Sequence, residues 1–285
     1  MHNAIIKRGN RCYSRSTLKR DRRGRWTLAN KVKEIWASGK AVLNGWLAIP
    51  SGFSAEMMAR SGFDSITVDL QHGVQDYLSM VQCFQAIQAH PVTPMARVPW
   101  NEPGIIGKVL DAGAYGVICP MINTRAEAEN FISFCKYPPR GTRSNGPVRA
   151  ALYGEVSGYQ RTANEETLCI PMLETRTAIA NMEEILDVDG IAGIYVGPSD
   201  LGFSYGLTPK LDRDEPEMLK IYDQLIKACD KRKIYPGIHT GSIAYATRAI
   251  SMGFRLVTVM SDATILAEFA RSATAQVRQN SGGKA

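Results

Sequence analysis

Eight short apolar runs recur along this chain, each closed by a polar residue, a proline or a glycine, and each followed by a stretch with helical periodicity. The runs cover 42–49, 65–70, 93–98, 115–119, 168–173, 193–196, 235–238 and 255–260. The intervening helical stretches cover 32–38 ahead of the first run, then 54–59 (with Ser54 as cap), 76–89, 102–112, 123–134, 177–186, 215–230, 243–252 and 263–278. Strands that read as apolar on both faces belong to a buried parallel sheet. An alternation repeated roughly every 25 residues, eight times over, predicts a (β/α)8 TIM barrel rather than a doubly wound sheet. No G-x-G-x-x-G follows the first run, so a dinucleotide-binding fold is disfavoured. The one break in the rhythm is a long loop over 138–158, expected to join the rim of the site.

Charge divides the chain once. The formal net charge is +7, but residues 1–25 carry nine Lys/Arg and a single acid, Asp21. The remainder holds 25 basic against 26 acidic residues. A neutral body argues against nucleic acid as partner. The tail lacks periodicity, so a basic extension without regular structure is expected over 1–28, one barrel domain over 29–280 and a frayed end at 281–285. The six cysteines form no C-x-x-C pair and lie mostly in apolar runs, which points to free thiols in a reducing, cytoplasmic setting. No apolar run reaches membrane-spanning length, and no signal-peptide core is visible.

Barrel enzymes carry their reactive groups at the C-terminal ends of the strands. Here those ends hold Trp46, Asp69 with His72, Arg97, Glu174, Asp200 and His239. Glu174 and Asp200 lie one βα unit apart, so they should face one mouth. Two carboxylates with room for water and substrate oxygens suit a hard divalent cation such as Mg²⁺ or Mn²⁺. The same pair could work as a metal-free acid and base, as a glycosidase pair, or in salt bridges to Arg97 and Arg176. The sixth run stops on Gly197-Pro198 and then presents Ser199 and Asp200, both helix-capping residues, whose neighbouring N–H groups suit an anion. Arg97 can bind a carboxylate or steady an enolate oxygen, and His72 is a candidate general base. No lysine ends a strand, which disfavours a Schiff-base aldolase. No glycine-rich cradle follows runs seven and eight, which disfavours a sugar phosphate.

Six stretches stand in the order and spacing of a known family: Gly45-Trp46, Val68-Asp69-Leu70-Gln71-His72-Gly73, Arg97-Val98-Pro99-Trp100-Asn101-Glu102-Pro103, residues 137–143, Leu173-Glu174-Thr175, and Val196-Gly197-Pro198-Ser199-Asp200-Leu201. Over about 30–278 the chain resembles the HpcH/HpaI aldolases, the metal-dependent class II pyruvate aldolases that include 4-hydroxy-2-oxoheptanedioate aldolase of aromatic-compound catabolism. The resemblance implies a barrel of the phosphoenolpyruvate/pyruvate type. Its last helix would be exchanged between subunits in a homohexamer, a trimer of dimers. Glu174 and Asp200 would hold the divalent metal, Mg²⁺ or Mn²⁺ first, with Co²⁺ and Zn²⁺ as further candidates. The backbone at Gly197, Pro198, Ser199 and Asp200 would bind the carboxylate of a small 2-oxoacid. Arg97 would meet its keto oxygen, and His72 would act as base. Asp111 would assist from a neighbouring subunit, and Asp69 would order the water network. Trp46 and His239 would line the substrate side.

The implied reaction is cleavage of a 4-hydroxy-2-oxoacid to pyruvate and an aldehyde. The sequence departs from the family at Gln71, at 143–146, at Met172 and at His239, all of which bear on the aldehyde rather than on the core chemistry. A CoA-thioester lyase of the citrate-lyase-β or malyl-CoA type, and a binding barrel without turnover, are the competing readings.

Overall fold

In the computed structural model, residues 30–152 and 158–282 are described in full, and the backbone also at 5–8, 11–14, 18–20, 26–28 and 153. Eight parallel strands form the barrel: β1 (Val42–Leu47), β2 (Ser65–Asp69), β3 (Thr93–Arg97), β4 (Gly116–Cys119), β5 (Leu168–Pro171), β6 (Gly193–Val196), β7 (Tyr235–Thr240) and β8 (Leu256–Ser261). Consecutive strands pair in register from β1 to β5 and from β6 to β8, and β8 pairs with β1. Single bridges at Cys169–Ile191 and Met172–Tyr195 close the ring between β5 and β6. All eight apolar runs are therefore strands. Segment 1–28, expected to lack regular structure, falls partly outside the described residues. Where described, it forms two short antiparallel pairs, Ile5–Arg8 with Arg11–Ser14 and Leu18–Arg20 with Trp26–Leu28, neither joined to the barrel sheet. Local β-favouring residues such as Ile5, Ile6 and Trp26 account for strands without a larger sheet. Of the expected frayed end, 283–285 lie outside the described residues.

The helices are α1 (Lys31–Ala37), α2 (Gly52–Ala59), α3 (Tyr77–Ile87), α4 (Pro103–Asp111), α5 (Arg125–Cys135), α6 (Tyr159–Glu166), α7 (Arg176–Ala180), α8 (Met182–Leu186), α9 (Pro198–Ser204), α10 (Pro216–Arg232), α11 (Ile243–Met252) and α12 (Asp262–Asn280). Their starts follow capping chemistry: Asp76 with Ser79 and Thr124 with Glu127 form reciprocal boxes. Three expectations shift. Ser51, not Ser54, caps α2, because the Ser54 hydroxyl donates to Asp262 instead. The stretch 177–186 is two helices, broken at Asn181, whose amide donates to the Asn123 carbonyl. Ser199 and Asp200 lie inside the first turn of α9 rather than capping it, since Pro198 takes the N1 position and Gly197 precedes it.

Two layers of core result. Between the strands and the outer helices lies the larger apolar cluster, with Phe84, Phe131 and Leu225 fully buried. Inside the barrel, Trp46, Met95, Ile118, Ile170 and Tyr195 pack together, and Val32 and Trp36 of α1 plug the end where the strands begin. The interior is not purely apolar, contrary to expectation. Asn44 donates to Thr258 Oγ1 (2.9 Å) and accepts from Ser65 Oγ (2.8 Å) and Thr67 Oγ1 (3.1 Å). All four are fully buried, which the low interior dielectric allows because they satisfy one another.

The long loop corrects a further expectation. It follows α5, so it belongs to the end of the barrel where strands begin, away from the rim on which strands terminate. Arg143 within it binds Asp111 at the C-terminal end of α4 (2.7 Å). Its described part is mostly irregular, with a 3₁₀ turn at Ala150–Tyr153, and it leads into α6, whose strongly polar sequence hid a helix. The last helix, α12, is anchored by Asp262, which accepts from Ala48 N–H and Ser54 Oγ. Beyond that residue it stands off the barrel, with Leu266 64% and Phe269 76% exposed.

Candidate active site

The mouth at the C-terminal strand ends has two halves. On one side, β2 and β3 end in register with Asp69 beside Arg97. The guanidinium grips the carboxylate bidentately, Nε to Oδ1 at 2.8 Å and Nη2 to Oδ2 at 2.6 Å. Trp46 Nε1 donates to Oδ2 (3.2 Å), and the N–H groups of Gln71 and His72 donate to Oδ1. Burial by itself would raise the Asp69 pKa, but the bonds and charge of Arg97, with those of Gln71 and Trp46, more than offset it and hold the carboxyl below its usual range. Arg97 also lies over the Trp46 ring, 4.8 Å from its centroid. Its Nη1 makes no hydrogen bond among the described residues and is the nitrogen left for a ligand.

His239 stands at the end of β7, edge-on to Trp46 with ring centroids 4.8 Å apart, and its Nδ1 lies 3.2 Å from Tyr195 Oη. Desolvation, reinforced by the nearby Arg97 charge, lowers its pKa to about 4. It is therefore a neutral hydrogen-bonding group at ordinary pH and not a cation.

On the other side, Glu174 follows β5 and is 2% exposed. Its Oε1 accepts the Met121 N–H at 2.9 Å, and its Oε2 has no partner. That N–H is aimed by a left-handed Met121 (φ 57°), a strained conformation for a residue with a Cβ. Burial is the main cause that raises the Glu174 pKa to about 7, and the charge of Asp200 adds to it. Gly197 is required here, since a Cβ would fall 2.2 Å from Glu174 Oε2. Asp200 is exposed at the mouth. The salt-bridge alternative for this pair is not realised: Arg97 is committed to Asp69, and Arg176 lies over the Tyr205 ring.

An orphaned buried carboxylate oxygen within electrostatic range of a second carboxylate is what a hard cation would neutralise, so the donor set fits a divalent metal that takes its other ligands from water or substrate. Among the described residues no three His, Cys, Asp or Glu side chains gather into a larger cluster.

The structure thus brings Trp46, Asp69, Arg97 and His239 into one contact group; Glu174 abuts Gly197, and Asp200 lies near enough for its charge to act on Glu174. The His72 side chain is exposed on the turn after β2, with only its backbone tied to Asp69. Asp111 lies at the opposite end of the barrel, on Arg143, out of reach of its own chain's mouth. Sequence reasoning missed Met121, because nothing marks a methionine for positive φ, and missed the polar partner Tyr195, which read as strand body.

A family model described as HpcH/HpaI aldolase/citrate lyase matches residues 45–268. A hydroxypyruvate/pyruvate aldolase of Rhizorhabdus wittichii is 40% identical over 250 residues, covering 87% of this chain and 99% of the relative. A 4-hydroxy-2-oxo-heptane-1,7-dioate aldolase of Salmonella dublin is 32% identical over 251 residues, covering 87% and 95%. Among solved structures, an HpcH/HpaI aldolase/citrate lyase family protein from Burkholderia cenocepacia J2315 superposes with a TM-score of 0.82 at 29% identity, covering 88% of this chain and 100% of that one. Macrophomate synthase shares the fold, with a TM-score of 0.81 at 24% identity and 91% and 92% coverage.

Proposed function

The chain belongs to the HpcH/HpaI aldolase/citrate lyase family, and from that membership and the two-sided mouth we propose that it cleaves, and in reverse forms, the C3–C4 bond of a 4-hydroxy-2-oxoacid. The products are pyruvate, or hydroxypyruvate as in the R. wittichii relative's name, and an aldehyde. It is an aldolase, a carbon–carbon lyase. The observation that carries the reading is Glu174: a buried carboxylate with one unpaired oxygen beside Asp200, across the mouth from a committed Asp69–Arg97 pair.

In this reading Glu174 and Asp200 hold a divalent cation, with Mg²⁺ or Mn²⁺ favoured by the all-oxygen donor set. When bound, the cation supplies Lewis-acid stabilisation of the negative charge that develops on the 2-oxo oxygen. Arg97 Nη1 donates to that same oxygen, and Asp69 holds the guanidinium in place for it. The N–H groups of Ser199 and Asp200 bind the substrate carboxylate, Pro198 having none to offer. His72 takes the proton of the 4-hydroxyl; the C3–C4 pair flows into a C2–C3 double bond, the aldehyde leaves, and protonation at C3 yields pyruvate. Asp111 lies too far within one chain and would assist from a neighbouring copy. The stand-off of α12, with Leu266 and Phe269 exposed, supports its exchange between subunits of a homohexamer. No helix among the described residues is long and apolar enough to cross a membrane, and a cytoplasmic setting is part of the same proposal.

The test is addition of pyruvate and hydroxypyruvate to a panel of aldehydes, with EDTA and metal add-back. Activity should vanish on chelation and return with Mn²⁺ or Mg²⁺. Turnover that survives complete chelation, or turnover of malyl-CoA-type thioesters alone, overturns the reading.

A further inference from the structure

Between α9 and α10 the chain runs through a connection with no sequence signal of its own, yet it contains the largest fully buried side chain among the described residues, Arg213. All three guanidinium nitrogens are engaged. Nε donates to the Pro198 carbonyl (2.7 Å), Nη2 to the Thr208 carbonyl (2.8 Å), and Nη1 to Glu215 Oε1 (3.1 Å). The group lies so flat against α9 that a Cβ on Gly202 would sit 2.0 Å from its Cζ. The neighbouring Asp212 takes hold of the next strand end, accepting from Gly241 N–H (2.7 Å) and Ser242 Oγ (2.6 Å). A loop that only had to connect two helices would not need a guanidinium withdrawn from water, which is costly unless its bonds are well made.

The bond to Pro198 has a directional consequence. The Pro198 carbonyl and the Ser199 N–H belong to one planar trans peptide group, so they point in opposite directions. Holding the oxygen from behind with a cation fixes the N–H toward the front, and polarises the amide so that the N–H donates more strongly. From the other side the same turn is abutted by Glu174, whose Oε2 is buried, unpartnered and pressed against Gly197. We infer that Arg213 is a positioning residue that aims and polarises the Ser199 N–H at the carboxylate of the 2-oxoacid. This rests on the aldolase reading above and extends it to a residue that never touches substrate.

The full-length enzyme with Mn²⁺ is compared with Arg213→Ala and Arg213→Lys. Pyruvate affinity is read by calorimetry, kcat and KM with one aldehyde, and folding by thermal melt. In Arg213→Ala the pyruvate Kd and KM should rise about tenfold, the scale of one charge-assisted bond, with a smaller fall in kcat. Guanidinium ion at millimolar concentration should restore pyruvate affinity to Arg213→Ala and leave the wild type unaffected. Arg213→Lys, which keeps the charge, should fall between. Equal pyruvate affinity in wild type and Arg213→Ala, or a lowered kcat with unchanged KM and no guanidinium rescue, overturns the inference alone. Should Arg213→Ala not fold, the Lys variant decides by the same criterion. A wild type that binds no pyruvate in the presence of Mn²⁺ overturns the aldolase reading and this inference with it.

Discussion

Asp69 and Glu174 are carboxylates at the same mouth and at nearly the same depth, 4% and 2% exposed, yet their surroundings are opposite. Asp69 accepts five hydrogen bonds, two from a cation, and its pKa is lowered. Glu174 accepts one, from a backbone N–H, and its pKa is raised to about 7. Burial opposes the charge in both; what differs is compensation. The β2–β3 half is electrostatically complete without a ligand and works as a rigid frame for Arg97. The β5–β6 half is incomplete, and that deficit marks it as the place where a positive charge is to be added.

Breaking the completed half should have the largest effect. Arg97→Ala strands a buried Asp69 charge and should cost about 3–5 kcal/mol of stability. It should also slow α-proton exchange of pyruvate, followed by NMR in D₂O, by about 10²–10³-fold. Exchange at the wild-type rate would show that Arg97 does not steady the enolate oxygen.

The incomplete half should respond in the opposite sense to pH. Folding raises the Glu174 pKa from 4.5 to about 7, so the folded state binds more protons than the unfolded state between those values. The metal-free protein should therefore lose stability as pH rises from 4.5 to 7, by about 3 kcal/mol, in urea melts with EDTA. Glu174→Gln should abolish that slope and Mn²⁺ binding together. A slope that persists in the variant would point to another group. Asp69 contributes in the reverse direction: its stabilisation is present above the ordinary 3.8 and is lost as pH falls through the lowered value.

The smallest effect is expected at the edge of the completed half. Trp46→Phe keeps an aromatic ring under Arg97 but removes the Nε1 donor, one bond of the five on Asp69. A loss of about 1 kcal/mol is expected in a urea melt, with pyruvate exchange within a few-fold of wild type. A loss as large as that of Arg97→Ala would mean that the tryptophan, not the arginine, holds the frame.

Much of this was legible in the residues. Strand-end placement of Asp69, Arg97, Glu174, Asp200 and His239 follows from where apolar runs stop, because a strand buried on both faces must end where charge begins. The eightfold alternation dictated the barrel for the same reason: each run needs a helix over it, and each helix stripe needs a sheet. Short-range capping chemistry placed the starts of α3, α4 and α5 to within a residue or two.

What depends on contacts distant in sequence was not legible. Arg97 could have paired with Glu174 as readily as with Asp69 on paper; the register of β2 with β3 decided it. The fold also turned the 138–158 loop and Asp111 away from the chain's own mouth, since direction alternates with every element. It closed α9 against a buried Arg213, and it left Glu174 one hydrogen bond where Asp69 has five. Local hydrophobic patterning is enough to say which groups reach the mouth. Which of those charges is compensated follows from packing alone, because compensation is a matter of distances of about 3 Å between residues that lie tens of positions apart.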